Sequence, residues 1–209
     1  SHTCATLEGD SRNETHGRCS TQFGQLGQPA SQGPNPTPVR VNDEVSVIDG
    51  FDRFDRVFAG GGHTCARGGG DVKPVYCWGK NDFGQLGDST TASRHEPVRV
   101  NVPKVDTVYT GLDHTCVAVP APSGNVTLSC WGRNDAGQIL VQATDRQPQP
   151  APVQFQGEFS GFSSARSEHS CAFSAGDKSL WCWGRNDAGQ LGIGTISEFE
   201  REPQLVYRP

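Results

Sequence analysis

The sequence predicts an all-β fold made of β-propeller blades, on three observations: a long repeat, its period and its many turn residues. A glycine followed by Gln marks each copy, at Gly24, Gly84, Gly137 and Gly189, so successive copies are 60, 53 and 52 residues apart. A period of about fifty residues is typical of stacked supersecondary units and suits a four-stranded propeller blade. With 26 Gly and 14 Pro in 209 residues, the chain fits many short strands joined by turns.

The repeated phrase is clearest at residues 63–87, which hold His-Thr-Cys, a Gly-rich turn and the run Cys-Trp-Gly-Lys-Asn-Asp-Phe-Gly-Gln-Leu-Gly. It returns with small changes at 114–138 and 169–192. A degraded copy opens the chain, with His-Thr-Cys at 2–4 and Phe-Gly-Gln-Leu-Gly at 23–27. We therefore expect a single array of four repeats, at about 1–50, 51–102, 103–156 and 157–209.

Each repeat reads as four strands. An apolar run precedes the His, the His-Thr-Cys and Cys-Trp-Gly pieces follow, and a loop of variable sequence leads to a last strand that begins with Pro. These Pro-led strands are predicted at Pro38, Pro97, Pro152 and Pro203. Because Pro lacks a backbone N–H, its place at the first residue of a strand favours an edge position.

The two ends of the chain are out of phase with the repeat. Residue 1 directly precedes His2, so the first copy lacks its leading apolar strand, while the last copy stops just after its Pro-led strand. We therefore expect a segment of a larger propeller, continued by further repeats or by another chain. The chain has no Met and begins with Ser, which indicates a removed signal sequence or an internal segment.

Charge and hydropathy exclude two classes of partner. The formal net charge is −5, and Lys and Arg are scattered singly among Asp and Glu, whereas a nucleic-acid partner would favour a clustered basic face. The sequence also lacks the apolar run of about eighteen residues that a membrane-spanning helix requires. We expect neither a nucleic-acid partner nor direct insertion into a membrane.

The eight cysteines fall in pairs, two in each repeat. Each pair flanks one turn, so its members should lie on adjacent antiparallel strands, within disulfide distance. Zinc is the competing interpretation, but the sequence has no Cys-x₂-Cys, and the spacings of 15, 12, 14 and 11 vary too much for a fixed ligand cage. We predict disulfides and an oxidising, extracellular setting. The predicted bridges are Cys4–Cys19, Cys65–Cys77, Cys116–Cys130 and Cys171–Cys182.

Two N-glycosylation sequons occupy the equivalent turn of the first and third copies, at Asn13 and Asn125. We expect both on exposed turns, carrying sugar if the source glycosylates. In a bacterial source, chance remains the alternative explanation.

The phrase Gly-x-x-His-Thr-Cys-Ala, followed by Cys-Trp-Gly-x-Asn-x-x-Gly-Gln-Leu-Gly, resembles the regulator-of-chromosome-condensation repeat. The resemblance covers essentially the whole chain and implies seven-bladed β-propellers. The cysteine-bearing version is similar to secreted bacterial proteins and to plant crinkly-type receptor ectodomains. Family members include a nuclear exchange factor, a secreted β-lactamase inhibitor and receptor ectodomains, so the resemblance implies a fold rather than one function. Nuclear exchange activity conflicts with the predicted oxidising setting.

Three departures from the phrase stand out. Residues 20–22 read Ser-Thr-Gln where other copies have Trp-Gly-x, so the first blade should pack differently or lie at a boundary. Ile139-Leu140 replaces Leu-Gly in the third copy, and Arg166 replaces the glycine found at Gly60 and Gly111.

Residues that recur once per repeat are interpreted as structural. This applies to the histidines, which a propeller would spread around a ring, to the core tryptophans and to the Asn-Asp pairs, which suit turns. The histidines are His2, His63, His114 and His169, and the tryptophans are Trp78, Trp131 and Trp183. We recognise no nucleophile, phosphate-binding or dinucleotide motif, and therefore predict no catalytic residue, cofactor or metal.

Recognition is expected in the loops whose sequence changes while the frame holds, at residues 28–37, 88–96, 141–151 and 193–202. We predict a non-enzymatic extracellular module that binds a protein or glycan partner there. One alternative is a purely structural component of a surface filament or larger complex. The other is an enzyme using Asp106, Glu168 and His95 in the propeller channel. The candidate partner contacts are Arg94, His95, Arg146, Glu198, Phe199 and Arg201.

Overall fold

A computed structural model describes residues 2–6, 15–20, 23–25, 27, 34–40, 54–141, 145–155, 157–164 and 167–209. Throughout these ranges the regular structure is antiparallel β-sheet, without helix. The all-β propeller prediction is confirmed. Within the same ranges, a search for helices long and apolar enough to cross a bilayer finds none.

Fifteen described strands form four consecutive groups, which we number as blades. Blade 1 contains β1 (His2–Thr6), β2 (Thr15–Ser20) and β3 (Pro34–Arg40). Blade 2 contains β4 (Phe54–Ala59), β5 (His63–Gly68), β6 (Val75–Gly79) and β7 (Arg94–Val100). Blade 3 contains β8 (Thr107–Thr110), β9 (His114–Pro120), β10 (Val126–Arg133) and β11 (Arg146–Pro152). Blade 4 contains β12 (Phe159–Ser163), β13 (His169–Ser174), β14 (Leu180–Arg185) and β15 (Phe199–Tyr207).

In blades 2 to 4 each strand pairs with the next along the chain, so the leading strand and the Pro-containing strand lie at opposite edges. A single pair, Val126 with Phe159, joins the sheets of blades 3 and 4. Each blade therefore has two distinct ends. We call the end with turns 69–74, 121–125 and 175–179 the hairpin end. The other, where the third strand passes to the fourth, is the loop end.

None of the four last strands begins at its predicted proline, so that part of the prediction is wrong. β7 starts at Arg94, three residues before Pro97, and β11 ends at Pro152 instead of starting there. The register shifts opposite the Trp-Gly step, between Cys77 and Gly79 in blade 2. This irregularity leaves Pro97 outside the paired positions, where its missing N–H costs no ladder bond.

Gly79 shows why glycine follows the tryptophan. Its φ is 104°, a conformation that residues with a Cβ rarely adopt. A Cβ there would also lie 2.7 Å from the carbonyl oxygen of Gly62. Gly132 and Gly184 repeat both features, with φ of 103° and 101°.

Three disulfides join the second and third strands of their blades. They are Cys65–Cys77, Cys116–Cys130 and Cys171–Cys182, each with the two Cα atoms 4.1 Å apart. In every case the two cysteines are directly opposed in the register. The side chains of Cys4 and Cys19 lie outside the described residues, and the backbone register of blade 1 sets Cys4 opposite Gly17. The fourth bridge therefore stays a prediction.

Side-chain alternation gives blade 2 two buried faces. Trp78 and Ala66 lie on the face towards blade 1, and the indole N–H of Trp78 donates to a carbonyl of that blade. Cys65 and Leu86 lie on the other and pack against Trp131 and other residues of blade 3. The hydrophobic core is thus formed between blades as well as within them.

Candidate functional site at the loop end

Successive blades are joined by a repeated hydrogen-bond latch at the loop end. The main-chain carbonyl of Gln85 in blade 2 accepts the indole N–H of Trp131 and the hydroxyl of Thr115, both at 2.9 Å. All three residues are buried. The same latch joins Gln25 to Thr64 and Trp78, and Gln138 to Ser170 and Trp183. The repeated Gln, Trp and Thr or Ser thus set the angle between neighbouring blades.

The Asn of each Asn-Asp pair is buried and anchors the variable loop. Asn81 accepts the backbone N–H of Leu86 at 2.9 Å and donates to the carbonyl oxygens of Thr90 and Ala92. Asn186 likewise accepts from Leu191 and donates to the carbonyl oxygen of Thr195. The Asn-Asp pairs therefore do more than form turns, because they fix the base of a loop whose other residues vary.

The marker glycines of the first three copies are covered by the last strand of the following blade. A Cβ at Gly84 would lie 2.3 Å from the Cα of Pro148, and one at Gly137 would lie 2.7 Å from the Cα of Arg201. His95 covers Gly24 in the same way. Two candidate contacts, His95 and Arg201, therefore take part in blade packing, although their side chains remain exposed.

A chain of charges runs along the loop end. The Lys80 ammonium of blade 2 lies 2.9 Å from a carboxylate oxygen of Asp113 in blade 3. Arg133 of blade 3 forms an ion pair with Glu168 of blade 4, and Arg185 reaches the second oxygen of Glu168 at 2.8 Å. Each base also pairs with the Asp two residues further along its own blade, at Asp82, Asp135 and Asp187.

The ion pairs shift the protonation of their members. Burial alone would lower the pKa of Arg133, but the Asp135 hydrogen bond and nearby carboxylates raise it above its ordinary value. Hydrogen bonds from Arg185 and Gln190 lower the pKa of Asp187 to about 2. Arg133 and Asp187 are therefore charged at neutral pH.

A cleft of about 240 Å³ opens in this network between blades 3 and 4. Ala136 is one of its lining residues, and the equivalent residue of blade 2 is Phe83. We call it the Ala136 cleft. It is lined by Arg133, Asp135, Ala136, Glu168, Arg185, Glu198 and Phe199.

The structure brings two of the predicted contacts, Glu198 and Phe199, together at this cleft. Arg201 lies beside it. Its guanidinium is 4.8 Å from the centre of the Phe199 ring and donates to the carbonyl of Asp135.

The sequence analysis did not identify Arg133 and Arg185 as site residues, because basic residues recur at this position of the repeat and were interpreted as part of the frame. The change from Phe83 to Ala136 was the signal that could have located the cleft.

The other two predicted contacts, Arg94 and Arg146, begin β7 and β11 rather than lying in free loops. Arg94 donates to Asp88 at 3.0 Å, while Arg146 is exposed. Both occupy the loop end, but neither lines the Ala136 cleft.

Comparison with known proteins identifies the repeat. The model of the Regulator of chromosome condensation (RCC1) repeat matches residues 74–118 and 177–209. The structure superposes on that of Prp20p from Saccharomyces cerevisiae with a TM-score of 0.77 and 18% identity, covering 99% of this chain and 48% of Prp20p. The chain is built from RCC1-type β-propeller repeats.

Two curated relatives with RCC1-type similarity are larger proteins. Ultraviolet-B receptor UVR8 of Arabidopsis thaliana is 32% identical over 203 residues, which is 93% of this chain and 42% of the receptor. The human E3 ubiquitin-protein ligase HERC2 is 27% identical over 206 residues, which is 97% of this chain and 4% of the ligase. The chain thus spans less than half the length of either relative.

The three residues of the alternative enzyme hypothesis, Asp106, Glu168 and His95, lie far apart in the fold. Asp106 directly precedes β8, at the hairpin end, where its N–H donates to the carbonyl of Ala118. Glu168 lies at the loop end, held by Arg133 and Arg185. His95 is on the outer strand β7, against Gly24. The arrangement offers these three residues no shared site.

The repeated histidines of the RCC1-type frame pack between blades. The Nε2 atom of His63 lies 2.9 Å from the hydroxyl of Thr115 in the next blade. His114 is buried, and neither of its ring nitrogens has a hydrogen-bond partner among the described residues. Burial, with a smaller contribution from His169, lowers the pKa of His114 to about 4. His114 is therefore neutral at physiological pH.

Asn125 lies on the turn before β10, at the hairpin end, and is partly exposed. Its amide donates to a carboxylate oxygen of Glu158 at 3.1 Å. Asn13 lies outside the described residues, and glycosylation of both stays a prediction.

Proposed function

We propose that the chain is part of an extracellular, non-enzymatic propeller that binds a protein partner through its loop end. The observation that carries the proposal is the division between a fixed frame and a variable edge. Buried Asn residues hold the base of the loop in blades 2, 3 and 4, and latches join the blades beneath them, while the loop residues differ in every copy. A rigid frame lowers the entropic cost of presenting such loops to a partner.

The names of the relatives support a binding role. UVR8 is a receptor, HERC2 is a ubiquitin-protein ligase, and the Prp20p study concerns its binding properties to Gsp1p and histones. These are unrelated activities on one fold, so the function of this chain depends on its own surface residues.

Three disulfides support an extracellular setting, because such bonds persist in oxidising compartments. The sequon at Asn125 is compatible with it. A sugar there would project from the hairpin end and leave the loop end free for a partner.

The outer face of blade 4 supports continuation by a further repeat. In blade 2 the marker glycine Gly84 is covered by Pro148, whereas among the described residues a Cβ at Gly189 would meet only Ile196, at 3.7 Å. Phe173 and Tyr207 on this blade are 46% and 57% exposed. A following blade that supplies a Trp and a Thr or Ser to the carbonyl of Gln190 would reproduce the latch found at the other junctions.

Partner capture from the native source, followed by mass spectrometry, tests the binding role. The variant Arg94→Ala/Arg146→Ala/Phe199→Ala alters the loop end. Its matched control, Asp71→Ala/Val72→Ala/Lys73→Ala, alters an exposed turn at the hairpin end. We expect one protein to be retained by the wild-type chain and the control, and lost by the loop-end variant. Equal retention by all three folded proteins would contradict the proposed site, and turnover of a substrate would contradict the non-enzymatic role.

A further inference from the structure

The Ala136 cleft occupies a position that an aromatic ring fills elsewhere in the same molecule. The residue before the marker glycine is Phe23 in the first copy and Phe83 in the second, but Ala136 and Ala188 in the third and fourth. In the next blade, by contrast, the residue after Trp-Gly is always basic. It is Lys80 at the first junction, Arg133 at the second and Arg185 at the third. The third junction therefore keeps the cation and lacks the ring.

At the filled position, the Phe83 ring lies within cation–π distance of Lys80 of its own blade and of Arg133 of the next. The ammonium nitrogen of Lys80 is 5.5 Å from the ring centre, and the guanidinium carbon of Arg133 is 5.2 Å from it. Cations at this distance are attracted by the face of an aromatic ring.

The unfilled position keeps the same surroundings. Arg133 and Arg185 border the Ala136 cleft as Lys80 and Arg133 border Phe83, and the Phe199 ring adds an aromatic wall. Arg185 pairs with Glu168 and Asp187, as Arg133 pairs with Glu168 and Asp135. A cleft of about 240 Å³ is smaller than the 300–1,000 Å³ typical of small-molecule and cofactor sites, and matches one side chain better.

We propose that the Ala136 cleft binds an aromatic side chain of the protein partner, in the place that Phe83 fills at the neighbouring junction. The inference rests on the proposed function, of which it specifies the central contact. Aromatic side chains inserted into pockets are frequent anchors of protein interfaces. Because Glu168, Asp135 and Glu198 accompany the two guanidiniums, the cleft suits a neutral ring better than a phosphate or another anion.

Nuclear magnetic resonance of the arginine Nε–H groups tests the cleft itself, with N-acetyl-tyrosinamide as the probe and N-acetyl-leucinamide as the apolar control. The probe at millimolar concentration should shift the Arg133 and Arg185 signals upfield through its ring current, and the leucine compound should not. Ala136→Phe should abolish the shift by filling the cleft from within. Ala188→Phe, the equivalent change on the outer face of blade 4, places its ring beside Arg185 as Phe83 lies beside Lys80, so this control is read at Arg133, whose shift it should leave intact.

The reciprocal variant Phe83→Ala keeps the test independent of whether Ala136→Phe folds. It should open a second cleft and produce a probe-dependent shift at Arg133. The proposal is wrong if the tyrosine compound leaves wild-type Arg133 and Arg185 unshifted, or shifts a folded Ala136→Phe variant equally. It is also wrong if inorganic phosphate competes with the compound for the cleft.

The captured partner separates this inference from the proposed function. Ala136→Phe should weaken partner binding about tenfold or more, whereas Ala188→Phe should not. If Ala136→Phe binds the partner normally while the triple loop-end variant does not, the aromatic inference fails and the proposed function stands. If neither Ala136→Phe nor the triple loop-end variant weakens partner binding, the aromatic inference and the proposed function both fail.

Discussion

The main-chain carbonyl of Gln85 accepts the indole N–H of Trp131 at 2.9 Å, across the junction between blades 2 and 3. Gln138 and Trp183 stand in the same relation across the next junction, at 3.1 Å. The bond is buried, and its donor is a side chain that also fills the core between blades. A single recurring contact thus links the repeated sequence to the angle at which blades stack.

The hydroxyl of Thr115 provides a direct test of this latch. Thr115→Val keeps the shape of the side chain but removes the donor to Gln85 and the partner of His63. We expect a loss of about 1–3 kcal/mol in the free energy of unfolding, because buried polar groups lose a partner. Denaturant unfolding under non-reducing conditions measures it. Thr115→Ser, which keeps the hydroxyl as Ser170 does, should cost less, and equal losses would argue against the latch.

Alanine substitutions at two marker glycines distinguish the cost of backbone strain from the cost of a clash between blades. Gly84 and Gly189 have similar φ values, 79° and 73°, but only Gly84 lies directly against the next blade. Alanine at either position costs about 1–2 kcal/mol in backbone strain. Gly84→Ala should cost about 1–3 kcal/mol more through overpacking against Pro148. Equal destabilisation in denaturant unfolding would contradict the packing described here.

The disulfides should stabilise each blade separately. Replacing Cys65 and Cys77 together by Ser should lower the free energy of unfolding by about 3 kcal/mol, since the bridge closes a loop between residues 12 apart in sequence. The same comparison in blade 3 uses Cys116 and Cys130.

Peptide mapping without reduction tests the pairing, including the predicted Cys4–Cys19 bridge. A bridge between repeats, such as one joining Cys65 to Cys116, would contradict the blade assignment.

The free energy of unfolding should decrease as the pH is lowered through a range set by His114. Its pKa is about 4 in the folded chain, against an ordinary value of about 6.5. The unfolded chain therefore binds a proton first as the pH drops. The stability that depends on neutral His114, about 3 kcal/mol, is present above pH ~6.5 and lost as the pH falls to ~4.

Denaturant unfolding across this range, with His114→Leu as the comparison, measures the effect. An unchanged slope in His114→Leu would contradict the role of His114.

The repeat predicted the blades, because frame residues recur with their contacts. Trp78, Trp131 and Trp183 each donate to a Gln carbonyl, and in blades 2 to 4 the two cysteines are directly opposed. The start of each last strand was mispredicted, since the register shift opposite Trp-Gly depends on glycine at positive φ and has no local hydrophobic signature. Leu140 adopts a φ of 46° where other copies have glycine, and its burial against neighbouring blades offsets that strain. The cleft is formed by residues of two repeats, so the sequence of one repeat does not predict it. The structure places Ala136 and Phe83 at equivalent positions of neighbouring junctions and thereby shows where a ring is missing.

Hydrogen–deuterium exchange of the chain, with and without its captured partner, tests the central claim most directly. We predict added protection at residues 133–137, 185–188 and 197–201, which surround the Ala136 cleft at the loop end. Exchange in the hairpin-end turns at 69–74 and 121–125 should not change. Protection confined to those turns, with none around the cleft, would contradict the account.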